Sequence, residues 1–430
     1  MGWEENLHNR VVGQSTISAL SLRDYRMYLT GTVVSNLGTW LHRVGQNWLV
    51  LDVSDGSAVA VGINIGLEFL PMIALSPLGG RVADHFKPGL VLRIAQVWMG
   101  VISAILGIVA LVGQAFPWQL HIFAFLFGIG PAFGNPARQV FLFEIVGESA
   151  VSSAVSLNAV NFNIARLVGP VVAGVIIGTF GAGWAVIINA ISYLPLIFAI
   201  SVIEGRRRVS PCVRNISRPP IQANRFSWRK PVGRELILLL CLVFLVGTFG
   251  MNMEMAAMLM ATEVFRVDAA ACGILLACSA SGAVCGSFLA ARMRPTSLCH
   301  LSAIAFFFGV VEVFTGAMPT YPLFAASLFV VGVVSALFVA RSEVRLHHIA
   351  EPGGRGRVFS MYRVASLCGT PIGAPALGFV GQAFGARWVL WAGGSVLIAG
   401  VIVVVLGSFV RIDRKRLDVR ESGDLIEDLS

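Results

Sequence analysis

The sequence predicts an all-α integral membrane protein of about twelve transmembrane helices in two pseudo-symmetric six-helix bundles. Three observations carry that prediction. Of 430 residues 56% are hydrophobic and only 13% are charged, whereas a water-soluble domain carries about 25% charged residues. The apolar residues gather into separate runs, each near the roughly 20 residues that cross a hydrocarbon core of about 30 Å. Finally, the later part of each half recurs at one fixed offset. Gly128 meets Gly332, Ala132 meets Ala336, Ser156 meets Ser360, Gly169 meets Gly373 and Gly174 meets Gly378. Phe180-Gly181-Ala182 likewise meets Phe384-Gly385-Ala386, and Trp184 meets Trp388.

The elements follow in chain order. Residues 1–27 mix Glu4, Glu5, Asn6, Asn9 and Gln14 without an apolar leader core, so the first apolar run is expected to stay as a helix. Spans are expected over 28–51, 58–78, 90–112, 118–141, 154–180 and 184–203, an N-terminal bundle over 28–203. Residues 204–235 break the pattern with Arg206, Arg207, Arg208, Arg214, Arg218, Arg225, Arg229, Lys230 and Arg234 among Pro211, Pro219, Pro220 and Pro231. They predict a basic cytoplasmic linker resting on anionic headgroups. Spans resume over 236–264, 270–291, 298–317, 322–340, 359–384 and 388–410, a C-terminal bundle over 236–410, before a cytoplasmic tail at 411–430. Glycines such as Gly62, Gly66, Gly174, Gly282, Gly286 and Gly378 would let neighbouring helices approach closely.

Orientation follows from Lys and Arg. Arg81, Lys87, Arg292, Arg294, Arg345, Arg355, Arg357, Arg411, Arg414, Lys415 and Arg416 fall on the same face as the linker. Opposite loops hold few, Arg266 and Arg387 being the exceptions. The positive-inside rule therefore puts both termini in the cytoplasm. The net charge of +9 comes from these gaps rather than from a basic face interleaved with aromatics, which argues against nucleic acid as a partner. Seven cysteines, most inside apolar runs and none in a CxxC pair, are expected to pack as small apolar side chains.

A charge at the bilayer centre costs roughly 2.5–3.5 kcal/mol on insertion scales, so each buried one needs a partner, water or a snorkelling route. Asn36, Trp40, Arg43 and Asn47 share a face of the first span. Arg43 lies roughly 12 Å from the outer end and Glu68 of the second span roughly 15 Å, at a rise of about 1.5 Å per residue. Similar depth predicts an ion pair, with a protonation switch and a static structural pair both open. Arg138 follows Pro136 in the fourth span and is expected to gate, with Glu144 as partner, or to snorkel. Arg166 sits mid-span with Asn158 and Asn163 on neighbouring turns, a position suited to cavity or coupling work. Asn252 and Glu254 interrupt the seventh span within Met251, Met253, Met255, Met258 and Met260, which could form an adaptable wall or ordinary packing. Arg341, Glu343, His347 and His348 are expected to be interfacial charges, and Glu312 to reach water near the outer turn.

Together these features resemble the major facilitator superfamily. Its loop between the second and third helices carries a motif like G-x-x-x-D-R-x-G-R-R/K. Gly80 and Asp84 match it here, and His85 stands where the family has arginine. Gly169-Pro170 in the fifth span is similar to the Gly-Pro element of the family's proton-coupled exporters. Asn135-Pro136-Ala137-Arg138-Gln139, with Asn158, Asn163, Arg166 and Gly38-Thr39-Trp40-Leu41, resembles the bacterial branch of siderophore exporters and macrolide efflux proteins. The resemblance implies gating roles for Gly80, Asp84, Gly169 and Pro170. It also implies a monomeric secondary transporter of the bacterial cytoplasmic membrane, exporting small amphipathic molecules by alternating access coupled to protons.

No GxxxxGK[ST], HExxH or GxSxG occurs, so no nucleotide drive or enzyme activity is expected, and no cofactor or metal. A uniporter or importer of the same fold would keep the architecture without pH dependence. A receptor or scaffold would tolerate loss of every buried charge.

Overall fold

The computed structural model describes residues 18–209, 233–293, 297–350 and 355–427. The first 17 residues, most of the basic linker with Cys212, and the side chains of Arg355, Arg357 and the tail lie outside this description. Among the described residues all regular structure is helical.

Ten segments are long and apolar enough to cross a membrane. One of them, Pro117–Phe180, passes twice, because Gly147 takes a non-helical, left-handed φ of 68° that turns the chain back. Gly128 before that turn packs beside Glu68, and Gly169 after it packs beside Trp40. Arg23–Val53, 31 residues long, stands outside the apolar ten yet packs inside the first bundle. Its polar stripe disguises it. Counted this way, the described residues make the twelve passes that the apolar runs predict.

The remaining passes are Ala58–His85, Pro88–Leu111, Ala182–Arg206, Arg234–Val264, Ala269–Arg292, Leu298–Gly316, Tyr321–Ile349, Arg355–Phe384 and the apolar start of Ala386–Glu427. Local chemistry sets several ends. The Ser57 hydroxyl accepts from the Ala60 amide at 3.2 Å, and Asp268 Oδ1 accepts from the Ala271 amide at 2.9 Å, opening the second and eighth passes. Arg387 donates to the Gly316 and Met318 carbonyls at 2.7 and 2.9 Å, closing the ninth. Arg341, expected at the interface, is instead buried and donates to the Ala290 and Met293 carbonyls at 3.3 and 3.1 Å. A helix end with unpaired carbonyls supplies what a buried guanidinium needs.

The two halves share one apolar core. It combines Leu41, Val44, Val61 and Ile65 with Met255, Met258, Leu259, Leu275 and Leu377. At the opposite end each half closes a separate core, around Tyr28, Leu92 and Phe141 in one and Leu239, Phe308 and Tyr362 in the other. Ion pairs there join helices of the same half: Arg93 with Glu204 at 3.6 Å, Arg206 with Asp24 at 3.5 Å, and Arg345 with Glu235. The halves therefore meet at the end where the second and eighth passes begin, and toward the other end each keeps a core of its own.

Four glycine contacts fasten the joined end, and they are two-fold symmetric. A methyl on Gly273 would run into the Pro170 carbonyl, and one on Gly62 into the Ala374 carbonyl. Gly174 sits in the same way on the Ala269 carbonyl, and Gly378 on the Ala58 carbonyl. Pro170 and Ala374 are related by the sequence offset that links Gly174 to Gly378. The repeat read in one dimension thus builds the symmetric contact in three. A hydrogen bond adds to it, with the Ala58 amide donating to Gln382 Oε1 across the halves at 2.9 Å.

Candidate functional site

The polar groups of the first pass do not all face one way. Asn47, with Asn64 and Gln46, is buried in a network inside the bundle: Asn64 Nδ2 donates to Asn47 Oδ1 at 2.8 Å, and Gln46 Nε2 to the Leu120 carbonyl at 3.1 Å. Asn36, Trp40 and Arg43 lie on the side toward the second, fourth and fifth passes.

Arg43 Nε donates to Glu68 Oε1 at 2.9 Å, with side chains 21% and 12% exposed. The pair is thus desolvated but not sealed, which separates it from a surface ion pair. The Arg43 guanidinium also lies between two rings, 5.4 Å from the Trp40 centroid and 5.0 Å from that of Phe69. Trp40 in turn meets Phe162 at 6.2 Å, and a methyl on Gly169 would strike the Trp40 Cβ. Gly169 therefore seats the fifth pass against the ring that flanks Arg43.

Glu254 comes from the other half. The seventh pass that carries it is not a continuous α-helix: Arg234–Leu245 widens into a π-turn over Val246–Gly250, breaks at Met251 and Asn252, resumes over Met253–Leu259 and widens again over Met260–Val264. Such wide turns occur often at functional sites. Asn252 Nδ2 donates back to the Thr248 carbonyl at 2.7 Å, while its Oδ1 and Glu254 Oε1 are buried without a hydrogen-bond partner among the described residues. Arg43, Glu68 and Arg166 all act electrostatically on Glu254, so charges from both halves converge on one region.

Arg166 feels the attraction of Glu254 and the repulsion of Arg43. Arg138 donates to Asn36 Oδ1 at 3.3 Å, and its Nε is buried without a hydrogen-bond partner among the described residues. Asn158 contributes an unpartnered Oδ1, whereas Asn163 Nδ2 donates to its own helix at the Ala159 carbonyl at 2.9 Å. Asn161, which sequence reasoning passed over, is the buried asparagine here, 5% exposed with Nδ2 unpartnered. Only the true rotation of the fifth helix distinguishes it from its neighbours.

The other predicted residues lie apart from this cluster. Gly80 and Asp84 stand at the far end of the second pass. Gly80 faces open space, and the close approach falls on Gly79, which packs on the Ala132 carbonyl. Pro170 lies at the joined end, its carbonyl under Gly273. The methionines divide: Met255, Met258 and Met260 are buried in the shared core, and Met251 is 38% exposed. Glu312, expected to reach water, is 1% exposed because Gly394 lets the twelfth pass close over it, and its Oε2 has no hydrogen-bond partner among the described residues. Among the described residues no group of three metal-ligating side chains forms.

Comparison with known proteins places this geometry in context. The profile of a family described as transmembrane secretion effector matches residues 14–425. The chain is 31% identical over 195 residues to the Staphyloferrin A transporter of Staphylococcus aureus, a match covering 43% of this chain and 49% of that one. The chain thus spans about half the length of that relative. It is 24% identical over 401 residues to the multidrug efflux pump Tap of Mycolicibacterium fortuitum, covering 90% and 96% of the two chains. Among solved structures, a bacterial homologue of the iron transporter ferroportin in an inward-facing state superposes with a TM-score of 0.68 at 14% identity, over 90% of this chain and 99% of that one. The inward-open xylose transporter XylE from E. coli gives 0.65 at 14%, over 89% and 95%.

Proposed function

We propose a function that starts from one premise: the chain belongs to the transmembrane secretion effector family of major facilitator transporters. It is a secondary active exporter that moves small amphipathic molecules out of a bacterial cell by alternating access, coupled to proton entry. The observation that carries this reading is the convergence of Arg43, Glu68 and Arg166 from one half with Glu254 from the other. A buried pair that one proton can break, beside a carboxylate on the opposite wall, gives a proton leverage over how the halves sit. Without the Glu68 charge, the carboxylate still acting on Arg43 would be Glu254 on the opposite half. Arg138, Arg166, Asn158, Asn163 and Asn252 are the candidate cargo contacts, while Gly80, Asp84, Gly169 and Pro170 serve reorientation. The name of one relative, a multidrug efflux pump, agrees with outward transport.

In this reading a cleft between the halves opens to the cytoplasm, because the joined end is the one with few basic residues. The bundles are 28–203 and 236–410, the protein works as a monomer, and it resides in the cytoplasmic membrane. Inverted vesicles test the proposal. Uptake of a panel of fluorescent amphiphiles is expected to rise with an acid-inside gradient and to collapse with a protonophore. Uptake indifferent to the gradient would point to the uniporter; no uptake of any probe would favour a receptor or scaffold.

A further inference from the structure

Glu68 is followed by a residue that touches both the ion pair and the contact between the halves. The Phe69 ring lies 5.0 Å from the Arg43 guanidinium carbon, and the same side chain packs against the core that the two halves share. It is partly buried. Two residues on, Pro71 lies inside the helix and removes the backbone hydrogen bond that the Leu67 carbonyl would otherwise accept. The second pass is therefore weakened at the turn carrying Glu68 and Phe69, while its first turns are fastened to the eleventh pass through Gly62 and the Ala58–Gln382 bond.

We infer that Phe69 is a positioning residue that transmits the state of the Arg43–Glu68 pair to the joined end of the two halves. The inference rests on the proposed role of that pair in proton coupling. With the pair intact, Arg43 is held between the Trp40 and Phe69 rings and its charge is directed to Glu68. Loss of the Glu68 charge turns Arg43 toward Glu254, and the ring stacked on Arg43 follows. Because that ring also packs against the shared core, its shift changes how firmly the halves are joined. The weak turn at Pro71 lets this happen without bending the fastened segment.

The charged and titratable groups around Glu68 come from several elements. The first pass presents Arg43, the seventh Glu254 and the sixth Tyr193, and Arg166 of the fifth acts through Glu254. The fourth presents Gly128, and the eleventh Pro371 and Pro375 nearby. Among the described residues the ion-pair partner of Glu68 is Arg43. Phe69 has the ring contact to it.

Hydrogen exchange of the full-length protein in lipid nanodiscs, corrected for intrinsic rates, tests the inference without a known cargo. The readout is protection of amides at 58–66 and 371–382 between about pH 8 and about pH 5.5. Wild type is expected to gain about threefold or more in protection on acidification, since proton entry requires the protonated carrier to close its outer end. Glu68→Gln should be insensitive to pH. Phe69→Leu should lose the response although Glu68 is present, and Phe69→Tyr, which keeps a ring over Arg43, should restore it. A wild-type-like response in Phe69→Leu overturns the Phe69 inference and leaves the pair intact. Equal loss in Phe69→Leu and Phe69→Tyr, with both variants monodisperse, overturns it as well. A flat wild type, or an unaltered response in Glu68→Gln, overturns the pair and with it this inference.

Discussion

Arg43 occupies a place that suits a guanidinium and not an ammonium. A planar cation fits between two rings while its Nε still reaches Glu68, whereas lysine offers a point charge without that shape. Arg43→Lys should therefore fold and still lose about tenfold in proton-driven efflux, the scale of one lost cation–π contact of about 1–2 kcal/mol. Glu68→Gln and Glu68→Ala should both remove the pH dependence of flux in reconstituted vesicles; unchanged pH dependence in both would end the coupling role. Glu312 invites the opposite experiment. It is buried, its Oε2 has no hydrogen-bond partner among the described residues, and it lies in the ninth pass against Gly394, away from the charge cluster. Glu312→Leu should keep efflux and raise stability by about 1–3 kcal/mol, seen as a higher melting temperature in detergent. Depth along two helices is enough to bring Arg43 and Glu68 to one level from sequence alone. Side-chain direction is not so legible. Glu312 looks close to water by its distance from the outer turn, but the packing of the twelfth pass decides otherwise. Asn161 differs from Asn158 and Asn163 only by a rotation of the helix that composition does not reveal.

At the level of elements, the glycine contacts at the joined end make a prediction with an internal control. Gly273 and Gly62 meet backbone carbonyls, which cannot swing aside as a flexible side chain could. Gly80, the glycine of the loop motif, faces open space. Gly273→Leu or Gly62→Leu should hold the halves apart at that end, through overpacking of about 1–3 kcal/mol. Efflux should fall by about tenfold or more, and amides at 58–66 should lose protection against hydrogen exchange. Gly80→Leu should leave that protection unchanged whatever it does to efflux, and equal loss of protection at Gly80 and Gly273 would contradict the assignment of the contact. Element order is legible because lipid imposes a length and a polarity on each pass. The first pass is found by its flanking apolar turns even though its stripe lowers its hydropathy. The breaks in the seventh pass are not legible. Gly247, Gly250 and Asn252 allow a wide turn, but what stabilises it is the eleventh pass, whose Gly369 and Gly373 pack against the backbone of Thr248. A contact more than a hundred residues distant leaves no local signature.

For the whole molecule, the repeat links sequence to mechanism. Two halves with matching glycines meet through matching carbonyls, so their union is built into each half and does not depend on the segment that tethers them. Residues 204–235 are rich in arginine and proline, and on the positive-inside argument they face the cytoplasm. Trypsin added to inverted vesicles should therefore cut the chain there into two fragments, while right-side-out vesicles protect it. The fragments should then purify together through a tag on either one, because the shared core of Leu41, Val61, Met258 and Leu377 and the bond from Ala58 to Gln382 remain. Efflux in the cut vesicles should persist, since alternating access needs the halves to rock against each other and not to be covalently joined. Fragments that separate in mild detergent would show that the tether, and not the symmetric contact, holds the transporter together. Cleavage from the opposite face would reverse the orientation and place the linker outside the cell.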